Sequence, residues 1–145
     1  MKILIVDDDL LNLTLLSDIL APIGTCDTAK NGEEAFSLFE KAIKEEAPYD
    51  LICLDIIMPG MDGHQVLKQI RFIEDCMGVA TADSAKIIMI TTQSDVDTIL
   101  SSYNERCDMY ITKPVVSEIM MDKIRYLGLL PARYNEGGAD GSGTV

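Results

Sequence analysis

The sequence predicts an α/β fold, in which a doubly wound sheet of five parallel strands has helices on both faces. Three observations lead to this prediction. Short apolar runs recur along the chain, each run is followed by a segment whose apolar residues have helical spacing, and the links between them are short. Such alternation requires right-handed crossovers, which produce a parallel sheet. The length of 145 residues fits one domain with a sizeable core.

The predicted strands are short apolar runs, often β-branched, that are bounded by acids or turn residues. The central apolar run, residues 51–54, is too short for a helix, and the Pro59 and Gly60 turn follows it. A short run without polar alternation indicates a strand that is buried on both faces. The five predicted strands span residues 2–6, 25–29, 50–54, 86–91 and 108–112.

The predicted helices carry apolar residues three and four positions apart, which gives each helix an inward face. Pro22 and Gly24 end the first helix, Pro48 ends the second, and Asp62 can cap the third. The five predicted helices span residues 10–20, 33–45, 62–76, 95–105 and 116–127. Residues 135–145 hold four glycines and almost no apolar side chains. We therefore expect a domain over residues 1–130 and a flexible tail over residues 131–145.

Composition excludes several classes of function. The net charge of −12 argues against nonspecific binding to nucleic acid or to an anionic membrane, but it is compatible with an acidic site that binds a cation. The apolar run at residues 3–6 is too short for a signal peptide or a membrane span, so we expect a cytoplasmic protein. The four cysteines, Cys26, Cys53, Cys76 and Cys107, are far apart and form no CxxC pair. We expect reduced and mostly buried thiols.

Polar side chains follow most of the predicted strands. Asp7 and Asp8 follow the first strand, Asp55 the third, Thr91 ends the fourth, and Lys113 follows the fifth. Because the carboxyl ends of parallel strands meet at one edge of a sheet, these groups should converge there, where open α/β folds place ligand sites.

Each of these residues also has an ordinary interpretation when it is taken alone. Asp55 could simply start a turn, residues 7–9 could form a solvated helix start, and Lys113 could be a surface lysine. Together, three carboxylates repel one another and call for a hard cation, Mg²⁺ before Ca²⁺. An added ammonium and hydroxyl suit a phosphoryl group, which a carboxylate can accept as an acyl phosphate.

The chain resembles the receiver domain of bacterial two-component response regulators. The resemblance is carried by Asp7-Asp8, Asp55 in LDIIMPGMDG, Thr91 after KIIMI, Tyr110, and Lys113 before Pro114. The resemblance covers about residues 1–127 in the expected order and spacing. It is strongest to the stand-alone, chemotaxis-type members. It implies the flavodoxin-like (βα)5 receiver fold.

The resemblance also implies a role for each site residue. Asp55 is the phosphoacceptor, and Mg²⁺ is bound by Asp8, Asp55 and the backbone carbonyl of Ile57, with Asp7 helping through water. Thr91 and Lys113 bind the phosphoryl oxygens, and the bond between Lys113 and Pro114 is cis. Tyr110 swings inward behind Thr91 when the site is phosphorylated. The residues with these implied roles are Asp7, Asp8, Asp55, Ile57, Thr91, Tyr110, Lys113 and Pro114.

The function implied is that of a phosphorylation-activated switch. It takes a phosphoryl group from a sensor histidine kinase or a phosphotransfer protein and then binds a downstream effector protein through the face made by the fourth helix, fifth strand and fifth helix. It catalyses only its own phosphorylation and hydrolysis, and it could form a homodimer on phosphorylation. No nucleic acid or membrane partner is expected, since no basic DNA-binding region accompanies the domain.

Three rival functions are a phosphohydrolase with an aspartyl nucleophile, a flavodoxin-like electron carrier and a scaffold that works unphosphorylated. The first usually needs a second acid where Ile57 stands, and the second needs a phosphate-binding loop where residues 7–9 would repel phosphate. A phosphodonor role for His64 is disfavoured. The chain departs from the family in the long link at residues 76–85 and in Cys107-Asp108. The resemblance implies that Ile57 and Gln93 occupy positions that tune the access of water to the acyl phosphate. Because Ile57 is apolar, we expect a phosphoryl lifetime longer than that of family members with a polar residue there.

Overall fold

The computed structural model describes residues 1–60, 62–92 and 106–131. The predicted helix at residues 95–105, Gln93 and most of the predicted tail lie outside this part of the chain. Met1–Pro114 and Val115–Val145 form separate compact units, and the second contains one described α-helix, Ser117–Tyr126, with Met120 and Ile124 buried.

The first unit contains a five-stranded parallel sheet with the order β2-β1-β3-β4-β5. In its centre, Ile5 of β1 pairs with Cys53 of β3, which in turn pairs with Ile88 of β4. The strands are β1 (Lys2–Val6), β2 (Thr25–Ala29), β3 (Leu51–Asp55), β4 (Lys86–Thr91) and β5 (Met109–Thr112). The sheet therefore has the predicted number of strands, and each lies within one residue of its predicted bounds.

Within the described residues of this unit the α-helices are α1 (Leu10–Leu20), α2 (Gly32–Lys44) and α3 (Gly63–Cys76). Their starts are set by side chains that accept hydrogen bonds from otherwise unpaired backbone N–H groups, as Asn31 does for α2. Asp62 and Gln65 form a reciprocal capping box at the start of α3. None of the helices in the described residues is long and apolar enough to cross a membrane.

Alternate residues of the central strands form the core beneath α2 and α3. Leu4, Ile52 and Ile87 are fully buried in this cluster together with Phe39 of α2 and Leu67 of α3. The buried residues of α1, which are Leu13, Leu16 and Leu20, lie outside the cluster. This arrangement explains why the central strands lack polar alternation: both of their faces are covered.

A buried polar cluster connects α3 to the starts of β4 and β5. The Arg71 guanidinium donates to the carboxylates of Glu74, at 2.7 Å, and Asp108, at 2.8 Å. It also donates to the backbone carbonyls of Ala85, at 2.8 Å, and Arg106, at 3.0 Å. Arg71 and Glu74 are only 5% and 3% exposed. We call these five residues the Arg71 cluster.

Both segments that the sequence analysis marked as unusual contribute to, or end at, the Arg71 cluster. The link at residues 76–85 contains a 3₁₀ helix, Thr81–Asp83, and ends at Ala85, whose N–H donates to Glu74. Asp108 accepts from Arg71 and from the backbone N–H of Ile87. The four cysteines are free thiols: Cys53 and Cys107 are buried, Cys26 is partly buried, and Cys76, at the end of α3, is exposed.

Candidate functional site

The strand-end residues line one cavity of about 270 Å³ at the carboxyl edge of the sheet. All five groups that were predicted to converge there do so, although they come from four different strand ends. The cavity is lined by Asp7, Asp8, Asp9, Asn12, Asp55, Ile57, Thr91, Thr92 and Lys113. The parallel topology is the physical reason, since it directs every strand exit to the same edge.

Three carboxylates in this cavity can reach a common point. One oxygen from each of Asp7, Asp8 and Asp55 lies within 4.8 Å of the other two. Asp7 and Asp55 are 1% and 4% exposed, whereas Asp8 is exposed to solvent. The group therefore has a buried side and an open side.

The turn after β1 holds the first acids in place. Asp7 donates its backbone N–H to Ala29, and its Oδ1 accepts the N–H of Asp9 at 2.9 Å. Asp9 in turn caps α1 by accepting the N–H of Leu11 at 2.9 Å. This leaves Oδ2 of Asp7 buried without a hydrogen-bond partner. A buried carboxylate oxygen without a donor is costly unless a ligand satisfies it.

The backbone after β3 is held by close packing as well as by hydrogen bonds. Ile56 donates to the carbonyl of Ile90, and Gly63 donates to the carbonyl of Ile56 at 2.9 Å. A Cβ atom on Gly63 would lie 2.5 Å from the carbonyl oxygen of Asp55, so only glycine fits there without displacing this turn. Gly63 thus allows α3 to begin directly against the residue that carries the central carboxylate.

Lys113 supplies the positive charge of the cavity. Its backbone N–H donates to the carbonyl of Thr91, and the bond to Pro114 is cis. The Lys113 Nζ lies 3.5 Å from Oδ1 of Asp55 and 3.8 Å from Oδ2 of Asp7. Both are ion pairs without close hydrogen-bond contact, which leaves the ammonium able to donate to a further group. The buried hydroxyl of Thr91 also lacks a partner.

Burial raises the pKa of Asp55 from 3.8 to about 6. The neighbouring charge of Asp7 acts in the same direction, whereas Lys113 lowers the pKa and the N–H of Ile57 does so to a smaller extent. A divalent cation between the acids would favour the ionised form. A hard cation such as Mg²⁺ fits this cavity, because three carboxylates supply oxygen donors and one Asp7 oxygen has no other partner. The cavity lining also contains no His or Cys, which softer metals would favour.

Some predicted residues lie apart from the cavity lining. Tyr110 is half-buried in β5, pairs with Met89 and packs against the core cluster. His64, in the first turn of α3, does not line the cavity. Sequence reasoning gave no site role to Asn12 or Thr92, which do line it. Thr92 directly follows Thr91, and Asn12 lies in the first turn of α1, just after the acids at residues 7–9. Their closeness in sequence to predicted site residues was the signal that could have identified them.

The profile of the family described as the response regulator receiver domain matches residues 3–125. The chain belongs to this family. Receiver domains of two-component systems are phosphorylation-type signalling domains, and they typically bind Mg²⁺ at an acidic pocket. The family thus accounts for the acidic cavity and its lysine.

Curated relatives include the regulatory protein VanRB of Enterococcus faecalis, which is 29% identical over 125 residues, or 86% of this chain and 50% of that protein. The chain spans about half the length of the curated relatives it matches. Among solved structures, Vibrio cholerae chemotaxis protein CheY4 is 25% identical, with a TM-score of 0.71 over 86% of this chain and 96% of that one. The receiver domain of Saccharomyces cerevisiae Ssk1, solved with the histidine phosphotransfer protein Ypd1, is 28% identical, with a TM-score of 0.73 over 86% of both chains.

Proposed function

We propose that this protein is a switch that accepts a phosphoryl group on Asp55 in a Mg²⁺-dependent reaction. The observation that carries the proposal is the shared cavity, in which a nearly buried Asp55 faces two further carboxylates and lies 3.5 Å from the Lys113 ammonium. A carboxylate next to a cation site and a positive charge is suited to attack phosphorus.

Each residue would contribute a distinct part of the reaction. A carboxylate oxygen of Asp55 attacks phosphorus, and Lys113 and Thr91 donate to the phosphoryl oxygens from the ends of β5 and β4. Asp8, Asp55 and the Ile57 carbonyl would hold Mg²⁺, with Asp7 assisting through water. The bound ion would supply neutralisation of phosphoryl charge. The unpaired Asp7 oxygen and Thr91 hydroxyl are the groups that these interactions would satisfy.

We propose that the protein is not a general enzyme and catalyses only its own phosphorylation and slow hydrolysis. An aspartyl-nucleophile phosphohydrolase needs a second acid near the nucleophile, and the position two residues after Asp55 is Ile57, which is 60% exposed and apolar. Family membership further favours the receiver function over a flavodoxin-like electron carrier. A scaffold that works unphosphorylated is disfavoured because the acids of the cavity are all present.

The donor would be a sensor histidine kinase or a phosphotransfer protein, and the output would be altered binding of a downstream effector. The Ssk1 receiver in complex with Ypd1 supports a phosphotransfer partner. Thr91 would move toward the phosphoryl group and Tyr110 would follow it, biasing a two-state packing. The altered face would involve the predicted helix at residues 95–105, β5 and the helix Ser117–Tyr126, and phosphorylation could also promote a homodimer.

The test is incubation with acetyl phosphate and Mg²⁺, followed by intact mass. We expect one phosphoryl adduct on the natural protein and none on Asp55→Asn. Asp18→Asn is the matched control, because it makes the same chemical change on the exposed side of α1. An adduct that persists in Asp55→Asn, or no adduct on the natural protein, would contradict the proposal. Chelation of Mg²⁺ should prevent the adduct in every variant.

A further inference from the structure

The cavity has a buried floor and an accessible rim. Asp7, Asp55 and Thr91, at 1%, 4% and 1% exposure, form the floor that would hold the reacting groups. The rim contains Asp8 and Asp9, both exposed, together with Asn12, Ile57 and others. A phosphodonor must approach Asp55 past this rim. The rim residues are therefore placed to contact the leaving group of the donor, which is the part that remains after the phosphoryl group is transferred.

Asn12 is an uncharged amide beside the rim acids, and the proposed function gives it no role. It lies in the first turns of α1, is half-buried, and makes no side-chain hydrogen bond to the residues that the structure describes. Its amide oxygen and nitrogen are therefore available to a group entering the cavity. Ile57, which lines the same cavity, is 60% exposed, so the lining offers an apolar side chain as well as the amide.

We infer that Asn12 is a donor-specificity residue, which favours phosphoryl groups carried on an imidazole ring over those carried on small carboxylates. The inference rests on the proposed function and concerns the same cavity. An imidazole is flat and partly apolar, and it carries an N–H that the Asn12 amide oxygen can accept. An acyl phosphate releases a carboxylate instead, which offers no N–H and which the rim acids repel.

The transfer step shows how this contact would act. The P–N bond of the donor breaks, its electron pair stays on the ring nitrogen, and a P–O bond forms to a carboxyl oxygen of Asp55. When the second ring nitrogen is protonated, the ring leaves as neutral imidazole and no further proton is required. A hydrogen bond from that N–H to Asn12 stabilises the protonated donor and orients it toward Asp55.

The experiment compares two donors, phosphoimidazole and acetyl phosphate, on the natural protein, Asn12→Leu, Asn12→Asp and Thr14→Val. Initial rates are followed by quenching and intact mass, with saturating Mg²⁺. Asn12→Leu keeps the side-chain size but removes the hydrogen-bond acceptor. Its phosphorylation rate with phosphoimidazole should therefore fall roughly three- to tenfold, whereas its rate with acetyl phosphate should fall less than about twofold. Asn12→Asp retains an acceptor and should keep the phosphoimidazole rate while slowing acetyl phosphate. Thr14, exposed on the same helix, is the matched control and should leave both rates unchanged.

The ratio of the two rates is the readout that a purely structural role would not alter. Equal losses with both donors in Asn12→Leu would overturn the inference, and calorimetric Mg²⁺ titration would then show whether weakened metal binding is the cause. Unchanged rates in both Asn12 variants would overturn it as well. If the natural protein is labelled by neither donor, the proposed function itself fails, whereas labelling with an unchanged ratio removes only the role of Asn12.

Discussion

Replacement of Arg71 by methionine should destabilise the protein far more than the loss of an exposed ion pair. The Arg71 guanidinium is buried and donates to two carboxylates and two backbone carbonyls, at 2.7 to 3.0 Å. Methionine has a similar length but no donor. The substitution therefore leaves the buried Glu74 without its cation and leaves the carbonyls of Ala85 and Arg106 without that donor.

The magnitude follows from these orphaned groups. Breaking a buried ion pair by removing one partner typically lowers the free energy of unfolding by about 3–5 kcal/mol. Small domains have total stabilities of about 5–15 kcal/mol, so this loss is a large share. Arg71→Lys should lose less, because it keeps the charge but cannot reproduce the planar fork of donors. Arg71→Met combined with Glu74→Leu should recover part of the loss, because it removes the uncompensated charge.

The assay is equilibrium unfolding in urea followed by far-UV circular dichroism, which suits a chain without tryptophan. If the slope of the free energy of unfolding against urea concentration is the same in all variants, they expose similar surface on unfolding, and their midpoints can be compared directly. Asp75→Ala is the matched control: it breaks the Arg106–Asp75 ion pair, whose side chains are 51% and 58% exposed, and it should have a much smaller effect. If Arg71→Met and Asp75→Ala destabilise the protein equally, the buried Arg71 cluster contributes no more to stability than an exposed ion pair does.

Three further predictions concern the cavity. Burial raises the pKa of Asp55 from 3.8 to about 6, so between these two pH values the folded state binds more protons than the unfolded state. The free energy of unfolding therefore falls as the pH rises through this range, because the buried carboxylate must ionise. Asp55→Asn should therefore raise the Tm most above about pH 6, and a gain that stays constant down to pH 4 would contradict the burial argument. Gly63→Ala should lower the free energy of unfolding by roughly 1–3 kcal/mol and slow phosphorylation, since its Cβ would lie 2.5 Å from the carbonyl oxygen of Asp55. Thermal unfolding and the rate of labelling measure these two effects, and a variant with an unchanged Tm and an unchanged labelling rate would show that the turn relaxes freely. Ile57→Asn should lose its phosphoryl group faster than the natural protein, timed by loss of the adduct, whereas a slower variant would show that Ile57 does not shield it.

Local sequence patterns are enough to predict the order of the elements and the edge of the sheet where the site forms. Apolar runs and helical spacing act over a few residues, so the strand bounds could be predicted to within one residue. The convergence of Asp7, Asp55 and Lys113 followed from one topological rule, because parallel strands share a carboxyl edge. The family resemblance then suggested roles for them.

Which polar groups are left without hydrogen-bond partners, and which are satisfied, depends on packing between distant segments. The Arg71 cluster joins residues separated by up to 37 positions, and no local pattern indicates that an arginine in α3 will be buried against Asp108. The half-buried Asn12 at the rim and the unpaired oxygens of Asp7 and Thr91 likewise depend on packing between distant elements. Spacing along a chain encodes which face a residue occupies, but burial and hydrogen-bond satisfaction depend on what the rest of the fold places opposite it.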